Sequence, residues 1–248
     1  LPMKEFPHFD RNVENTSGFH VTVEDAERCP RMTGTQIENV CVKPAPYWMQ
    51  VRIWKTGMRP INALVDITNY VMLATGQPSH AYDSDHIAGH IIVRRAKAGE
   101  TLTLLNGKEL PLSTDDLTIA DDAGIVGLAG VMGGAKDSIL PTTSKVILEI
   151  ANFQAAGIRR TALRYDNRTE ASARYEKAID PERCDQALDL SMQLLGQLYP
   201  EMKVTGLVDE YPQHLKQAEI DVPLSWLERR LGKRLPPEEI RHKMELLG

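Results

Sequence analysis

The chain has 248 residues, 42% of them hydrophobic and 25% charged, an ordinary globular composition with room for one large domain and a small second one. Its net charge of −5 argues against a protein that binds nucleic acid through its overall field, although a local basic patch stays open. No apolar run approaches the roughly 20 residues of a membrane-spanning helix, so no membrane association is predicted.

The first 19 residues are polar, rich in Pro and Asn, and without clear periodicity, which predicts a linker or tail. Two strand-like pieces follow, FHVTV and TQIENVCV, on either side of a turn predicted from Pro30 to Gly34. A short helix carrying Trp48 and Trp54 is predicted next, after two prolines that suit a helix start.

The stretch from Arg59 to Asp83, RPINALVDITNYVMLATGQPSHAYD, predicts one helix followed by a turn. Pro60 suits the first helical turn, and Gly76 stands where a left-handed cap usually lies. An apolar face at helical spacing is formed by Ile61, Leu64, Val65, Thr68 (through its methyl) and Val71. Polar residues that packing alone would not require are Asn62, Asp66, Asn69 and His80. We therefore expect a site beside this helix.

After His80 the pattern changes to short strands separated by turns. The strand candidates are residues 91–95, 101–105, 117–120, 125–132 and 145–150. The dipeptide Asn106-Gly107 is a strong signal for a two-residue hairpin. This close spacing predicts the α+β class, with mostly antiparallel or mixed sheets and packed helices, rather than βαβ crossovers.

A second clear helix is predicted from Asp180, with Asp180 as its cap, Pro181 in its first turn and Pro200 after its end. Its predicted buried face is Cys184, Ala187, Leu188, Leu194, Leu195 and Leu198. Residues 209–217 have the composition of a linker. The remainder, 218–248, opens with the strand-like EIDVPL and continues with two helix-like pieces, too little to bury a core alone.

Five side chains within eleven residues could in principle ligate a metal: His80, Asp83, Asp85, His86 and His90. His86 and His90 would share a face only in a helix, which Ala88-Gly89 disfavours. No second cluster completes a ligand set, so a metal site is the weaker interpretation.

The glycines of IVGLAGVMGGAKDS match neither the dinucleotide fingerprint nor the Walker pattern. They are better explained by a strand whose missing side chains let a backbone or a ligand approach closely. These glycines are Gly127, Gly130, Gly133 and Gly134.

Glu149 is a carboxylate inside the otherwise apolar strand KVILEIANF. By alternation, Ile147 and Glu149 share one face of that strand, and the other face carries Val146, Leu148 and Ile150. These residues alone leave open whether Glu149 faces solvent, the default for a carboxylate, or is buried for a purpose.

Residues 158–177 carry six basic and three acidic side chains, a positive segment in an acidic protein. A solvated helix or loop is the usual explanation of such a run, and the functional alternative is contact with a nucleic-acid phosphate backbone. The middle of the segment, Asp166 to Ser172, is predicted to be a loop.

Three cysteines, Cys29, Cys41 and Cys184, form no CxxC pair and are expected to be reduced thiols in the cytoplasm. The start, LPMKEFPHFDRN, lacks a signal-peptide core and an initiating Met, so a cytosolic fragment of a longer protein is expected. No GxSxG elbow or Cys/His spacing identifies a covalent nucleophile.

Five co-linear motifs resemble the beta subunit of bacterial phenylalanyl-tRNA synthetases: RPINALVDITNYVM, GQPSHAYD, GLAGVMGG, VILEIANF and NRTEASARYEKAIDP. The resemblance implies a tail at 1–19, a tRNA-editing domain at 20–208, a linker at 209–217 and the start of a winged-helix-like domain at 218–248. It also implies tRNA(Phe) and the alpha subunit as partners, in a heterotetramer of two alpha and two beta subunits, in the cytoplasm and without DNA. ATP and Mg would serve the alpha subunit, so no cofactor is expected in this part.

In the resembled family the matching module hydrolyses tyrosine wrongly attached to tRNA(Phe), by water attack on the ester without an acyl-enzyme. Such editing is needed because a pocket shaped for Phe cannot strongly reject an isostere that adds a hydroxyl. Carried over, Glu149 recognises the phenol, and His80 and Thr169 belong to the catalytic set. His80 would orient the water, hold the tRNA end or act as a general base. The implied pocket walls are Asn69, Ala129, Gly130 and Ala171.

The alternative from another functional class is a non-catalytic scaffold and tRNA-binding module of the same synthetase, with editing lost. The presence of both Glu149 and His80 disfavours it, because a decayed site should have lost one of them. One departure from the family pattern is Glu170, where some relatives carry Asp, and little consequence is expected.

Overall fold

A computed structural model describes residues 7–136, 138–212, 214 and 219–246, which divide between two compact units, one up to residue 212 and one from residue 214. In chain order the larger unit contains β1 (Val21–Val23), β2 (Arg31–Glu38), α1 (Tyr47–Lys55), α2 (Ala63–Thr75), β3 (Ser79–Asp83), a short 3₁₀ turn (Ser84–His86), β4 (Ile91–Arg95), β5 (Thr101–Thr103), β6 (Glu109–Pro111), β7 (Leu117–Asp121), β8 (Gly124–Leu128), β9 (Met132–Gly133), β10 (Lys145–Asn152), α3 (Ala155–Arg164), α4 (Glu170–Tyr175), α5 (Arg183–Leu198) and β11 (Lys203–Glu210). The smaller unit contains α6 (Leu224–Leu231) and α7 (Pro237–Glu245).

The strands of the larger unit form three sheets. A five-stranded sheet has the order β1-β4-β7-β8-β9, a four-stranded sheet has the order β11-β2-β10-β3, and β5 and β6 form a hairpin. Only β1 and β4 pair in parallel; the other described strand pairs are antiparallel. The predicted α+β class is therefore confirmed. A hairpin does form at Asn106-Gly107, but the predicted two-residue loop is wrong: Leu104 bonds through its N–H to the Lys108 carbonyl, which leaves a three-residue loop, 105–107, with Gly107 at a φ of +82°.

The four-stranded sheet is buried on both faces, with β10 in its interior between β2 and β3. On one face Ile147 and Ala151 pack into the hydrophobic cluster shared with the five-stranded sheet. The opposite face packs against α1, α2 and α5 through Val146, Leu148 and Ile150. The predicted alternation is confirmed, and Glu149 lies on the face between the two sheets.

Helix α2 begins later than its sequence suggests. Asn62 is its N-cap, with a side chain that accepts a hydrogen bond from the backbone N–H of Val65 at 3.1 Å. Pro60 therefore lies outside the helix, and its predicted place in the first turn is wrong. Asp66 is buried and accepts a hydrogen bond from the N–H of Ile61. Gly76 closes the helix in the left-handed conformation, as predicted.

Two segments predicted as turns are strands. GQPSHAYD was expected to be a turn, but Ser79–Asp83 form β3 and pair with β10. The turn predicted from Pro30 to Gly34 is also wrong, because Arg31 onward belongs to β2, which pairs with β10 on one side and β11 on the other. In both cases long-range pairing overrides local turn signals. The candidate strand at 125–132 is divided by a turn at Gly130, where φ is +66°.

The predicted boundaries near the chain ends need three corrections. The tail is not free: Phe9 and Arg11 bond to Asp189 in α5, although residues 7–19 contain no helix or strand. Helix α5 begins at Arg183, because Asp180 only supports the preceding turn. Strand β11 runs to Glu210, so the first two residues of the predicted linker pair with β2; residues 213 and 215–217 lie outside the described part.

In the smaller unit, residues 219–223 are irregular rather than the predicted strand. Helices α6 and α7 are present, and neither has a buried residue. A segment of this length buries too little apolar surface to make a core of its own.

Candidate active site

Glu149 and His80 face each other across β10 and β3, on the side of the four-stranded sheet that packs against the five-stranded sheet. Glu149 is only 6% exposed. Its Oε2 atom accepts a hydrogen bond of 2.5 Å from the hydroxyl of Tyr82, two residues along β3 from His80. Of the two alternatives left by the sequence, the structure therefore has the buried carboxylate.

Burial moves the pKa values of the two residues in opposite directions. It raises the pKa of Glu149 to about 7, while the hydrogen bond from Tyr82 acts in the opposite direction and favours the ionised carboxylate. Burial lowers the pKa of His80 to about 4, so its imidazole is neutral at pH 7. The His80 ring packs edge-on against the Tyr82 ring, with centroids 4.5 Å apart.

Two adjacent cavities meet at His80. The inner cavity, of about 90 Å³, has Glu149, Tyr82, Ala129 and Gly130 in its walls. The outer cavity, of about 480 Å³, is lined by Asn69 and Thr169 among others. His80 and Ala171 line both cavities. The seven residues that the sequence predicts for the site therefore lie around this one pair of cavities.

Glycines shape the inner cavity, as the sequence predicted. A Cβ atom at Gly133 would lie 2.9 Å from both Cε1 and Nε2 of His80, so a side chain there would displace the imidazole. At Gly130 the positive φ and the close packing of Phe153 and Tyr175 both require glycine. Ala129 is buried beside it and bonds through its N–H to the carbonyl of Leu117.

Thr169 has a structural duty in addition to its place at the outer cavity. It is the N-cap of α4 and accepts a hydrogen bond from the N–H of Ser172 in a capping box. Its own hydroxyl donates to the carbonyl of Val131 at 2.8 Å. Because the hydroxyl proton of Thr169 is already donated to this carbonyl, the geometry supports a positioning role for Thr169 rather than proton transfer by it. The predicted loop at 166–172 is also shorter than expected, since α4 begins at Glu170.

Asn69 differs from the other polar residues of α2, because Asn62 and Asp66 serve the start of the helix. The Asn69 side chain makes no hydrogen bond among the described residues and lines the outer cavity. Its amide is therefore available to a ligand. Of the polar residues that the sequence analysis singled out on this helix, only Asn69 and Asn62 line the outer cavity.

Sequence reasoning missed Tyr82, Gln77 and Tyr175. Tyr82 holds Glu149, and Tyr175 closes the inner cavity while its hydroxyl donates to the carbonyl of Ala151 at 2.9 Å. Gln77 is fully buried and donates to the same carbonyl at 2.7 Å. Treating SHAYD as a strand would have identified Tyr82, because His80 and Tyr82 then share a face.

The histidines near His80 have separate partners. His86 lies 3.7 Å from Asp83, and His90 lies 2.9 Å from Asp122. Within the described residues, no group of three or more His, Cys, Asp or Glu side chains could hold a metal ion.

The basic segment at 158–177 is largely neutralised by neighbouring carboxylates. Arg168 pairs with Glu176 at 2.6 Å, Arg174 pairs with Glu170 at 2.6 Å, and Arg164 pairs with Asp116. These pairings support the solvated interpretation of the segment over contact with a phosphate backbone.

Comparison with known proteins decides the family. Residues 28–200 match the family model described as the B3/4 domain. The chain belongs to the B3/4 domain family. Two relatives named phenylalanine–tRNA ligase beta subunit are 41% identical to it. The one from Solibacter usitatus matches over 250 residues, 100% of this chain and 32% of the relative. The one from Geobacter metallireducens matches over 221 residues, 89% of this chain and 28% of the relative.

These identities confirm the resemblance to the synthetase beta subunit, and this B3/4 chain spans about a third of such a relative's length. The fold is also similar to an N-terminal fragment of the phenylalanyl-tRNA synthetase beta subunit from Pyrococcus horikoshii, with a TM-score of 0.51 at 13% identity. That match covers 98% of this chain and 68% of the other. Over the described ranges of the B3/4 chain, no helix is both long enough and apolar enough to cross a membrane.

Proposed function

We propose that this chain is an editing module that hydrolyses the ester of tyrosine wrongly attached to tRNA(Phe). The observation that carries the proposal is the buried carboxylate of Glu149 in the inner cavity, with His80 beside it at the junction with the outer cavity. A tyrosine side chain in the inner cavity would place its phenol at Glu149 and its ester near His80. The outer cavity would then receive the terminal nucleotide.

Glu149 supplies the discrimination in this proposal. Tyr82 occupies Oε2, which leaves Oε1 to accept a hydrogen bond from the substrate phenol. Phenylalanine has no hydroxyl and would leave this oxygen buried without a partner, at a cost of about 1–3 kcal/mol. A pocket shaped for phenylalanine discriminates poorly against the extra hydroxyl of tyrosine, whereas in this cavity the same hydroxyl improves binding.

Hydrolysis in this proposal is attack by a positioned water on the ester carbonyl, with the tRNA 3′-terminal ribose as leaving group. His80 is neutral at pH 7, so its ring can orient the water by accepting or donating a hydrogen bond. Thr169 holds the loop of Val131 in place, and Asn69 contacts the nucleotide side of the substrate. This site needs no cofactor; ATP and Mg belong to the alpha subunit's step.

The partners and the compartment belong to the same proposal: tRNA(Phe) as substrate carrier, an alpha subunit in a heterotetramer, and the cytoplasm. The experiment uses the complete synthetase with Glu149→Gln in its beta subunit. Deacylation of Tyr-tRNA(Phe) is expected to slow at least about fivefold, because Gln keeps only one acceptor oxygen for the two hydroxyl donors, Tyr82 and the substrate phenol. The matched control is Glu201→Gln, at an exposed carboxylate away from the cavities, which should keep full activity.

Unchanged deacylation in Glu149→Gln would refute the role of this carboxylate. A wild-type complex that does not clear Tyr-tRNA(Phe) at all would favour the alternative, a scaffold and tRNA-binding module without editing.

A further inference from the structure

The segment 40–65, which contains α1 and the start of α2, has no acidic residue although the chain carries a net charge of −5. Its surface cations are Arg52, Lys55 and Arg59. None of them forms an ion pair with any described residue, in contrast to the neutralised segment at 158–177. A local positive surface therefore lies where the sequence analysis did not place one.

Aromatic side chains alternate with these cations. Helix α1 buries only Met49 and Ile53, so Tyr47 is 81% exposed and Trp54 is 70% exposed. Trp48 is also exposed, and the Arg52 guanidinium lies 5.2 Å from the centre of its ring. Exposed rings of this size are costly in water unless they have a partner, and flat rings beside cations suit stacked bases.

The rings near Arg52 are held in place before any ligand binds. Arg52 donates a 2.7 Å hydrogen bond to the hydroxyl of Tyr70 on α2, and the Trp48 and Tyr70 rings meet edge to face at 5.3 Å. Less side-chain entropy is then lost on binding than with mobile side chains.

This surface continues into the outer cavity. The loop that follows α1 carries Arg59 and also supplies Met58 and Ile61 to the cavity wall. A strand of nucleotides lying along α1 would therefore lead to the place where the proposed function puts the terminal nucleotide.

We propose that this surface binds the unpaired nucleotides of an RNA strand next to its 3′ end. The RNA platform consists of Tyr47, Trp48, Arg52, Trp54, Lys55 and Arg59. Bases stack on the exposed rings, and the cations contact the phosphates between them. The direction of the strand toward the outer cavity rests on the proposed function; the binding of single-stranded RNA does not.

The test is the binding of a labelled single-stranded RNA oligonucleotide ending in CCA to the 248-residue chain, followed by fluorescence anisotropy and tryptophan quenching. Trp54→Ala is expected to weaken binding about tenfold, within the usual range for one lost base-stacking contact. Lys55→Ser with Arg59→Ser should lower the salt dependence, log K against log salt, by about 1.4, since each lost phosphate contact in a single strand removes about 0.7.

Trp226→Ala is the matched control. Trp226 is an exposed tryptophan with the Arg230 guanidinium 5.2 Å from its ring, as Arg52 lies from Trp48, but it belongs to the smaller unit. The Trp226→Ala variant should bind RNA with the same affinity as the unchanged chain. The proposal is overturned if no saturable binding is seen at low salt, if Trp54→Ala binds like Trp226→Ala, or if duplex RNA binds as well as the single strand.

The outcome is separable from that of the proposed function. Glu149→Gln should bind the oligonucleotide normally while the complete synthetase carrying it deacylates slowly. If RNA binding is absent but Glu149→Gln still slows deacylation, the RNA platform proposal fails. If RNA binding behaves as expected but Glu149→Gln leaves deacylation unchanged, the proposed function fails.

Discussion

Glu149 and His80 are register partners on adjacent antiparallel strands, and burial holds both side chains toward their neutral forms. The pKa of Glu149 rises from 4.5 to about 7, and that of His80 falls from 6.5 to about 4. If both groups were ionised, carboxylate and imidazolium would attract each other; burial instead favours the neutral carboxyl and the neutral imidazole. The arrangement gives opposite contributions to the pH dependence of stability.

Replacing either partner should expose the contribution of the other. In His80→Asn, Glu149 binds its proton more tightly in the folded state. The free energy of unfolding should therefore fall as pH rises from 4.5 to 7, by about 3 kcal/mol in total. In Glu149→Gln, His80 binds its proton more tightly in the unfolded state, so the free energy of unfolding should rise between pH 4 and 6.5.

Urea unfolding at a series of pH values measures both slopes. In the unchanged chain the two contributions should offset each other between pH 4.5 and 6.5. The double variant His80→Asn with Glu149→Gln is the reference, because it retains every other titrating group. Identical pH profiles in the two single variants would contradict the buried pair.

Tyr82→Phe removes the hydroxyl that donates to Glu149 Oε2. The pKa of Glu149 should rise further, because the lost hydrogen bond favoured the ionised carboxylate. We expect a loss of about 1–3 kcal/mol in the free energy of unfolding above pH 7, and a smaller loss at pH 5, where the carboxyl is protonated.

The control is Tyr199→Phe, which removes a hydroxyl that donates to the uncharged carbonyl of Cys41 at 2.8 Å. Urea unfolding at pH 5 and above pH 7 should show a similar loss at both pH values for this variant. A loss from Tyr82→Phe that does not change with pH would mean that the bond to Glu149 is not charge-assisted.

Gly133→Ala should displace His80 without unfolding the chain. The new Cβ atom would lie 2.9 Å from two atoms of the imidazole, which is a side chain and can rotate away. The NMR signals of the His80 ring should shift, and deacylation of Tyr-tRNA(Phe) by the complete synthetase should fall more than tenfold, since misplacement by about an ångström costs on the order of a hundredfold.

Gly127→Ala is the comparison for this variant, because Gly127 lines the same cavity and its Cβ atom would have no neighbour closer than 3.6 Å. It should leave the His80 signals in place. Equal shifts in both variants would mean that the cavity as a whole, rather than the contact with His80, responds.

Arg31→Met should strongly destabilise the larger unit. The side chain of Arg31 is 5% exposed and bonds Asp185 at 2.7 Å and Asp209 at 2.6 Å, which joins β2 to α5 and β11. Its loss leaves the partly buried Asp209 carboxylate without a cation among the described residues and Asp185 with only Arg11, whose guanidinium lies 3.2 Å away. We expect a decrease of about 3 kcal/mol in the free energy of unfolding, measured in urea at pH 7.

Arg95→Met provides the contrast, because the Arg95 side chain is 49% exposed and pairs with Asp25 at 2.6 Å near the surface. Its replacement should lower the free energy of unfolding much less than Arg31→Met does, because an exposed ion pair is screened by water. Similar losses in the two variants would show that burial does not set the strength of the Arg31 pairs.

Much of the site could be predicted from the sequence, because its motifs are long and lie in order. The seven predicted residues, from Asn69 to Ala171, do lie around one pair of cavities. Their chemical roles stay predictions. Tyr82 was missed because its segment was treated as a turn, and a turn gives no reason to place residues two apart on one face.

What the sequence by itself determined are the features set by local pattern. They are the periodic core face of α5, the glycine cap at Gly76, the presence of a hairpin at Asn106-Gly107 and the alternation along β10. These depend on neighbours within a few residues, so their signals are written in consecutive positions. The core face predicted for α2 is wrong at Ile61, which precedes the helix and is 65% exposed.

The tertiary structure alone decided which polar groups are buried and which charges stay unpaired. Glu149 became a buried carboxylate only because β3 and a second sheet close over it. Within the segment 158–177, Arg160 and Arg164 met carboxylates distant in the chain, at Asp115 and Asp116. Within the part of the chain that the structure describes, Arg52, Lys55 and Arg59 met no carboxylate. Burial and ion pairing depend on contacts between remote segments, and no local pattern encodes them.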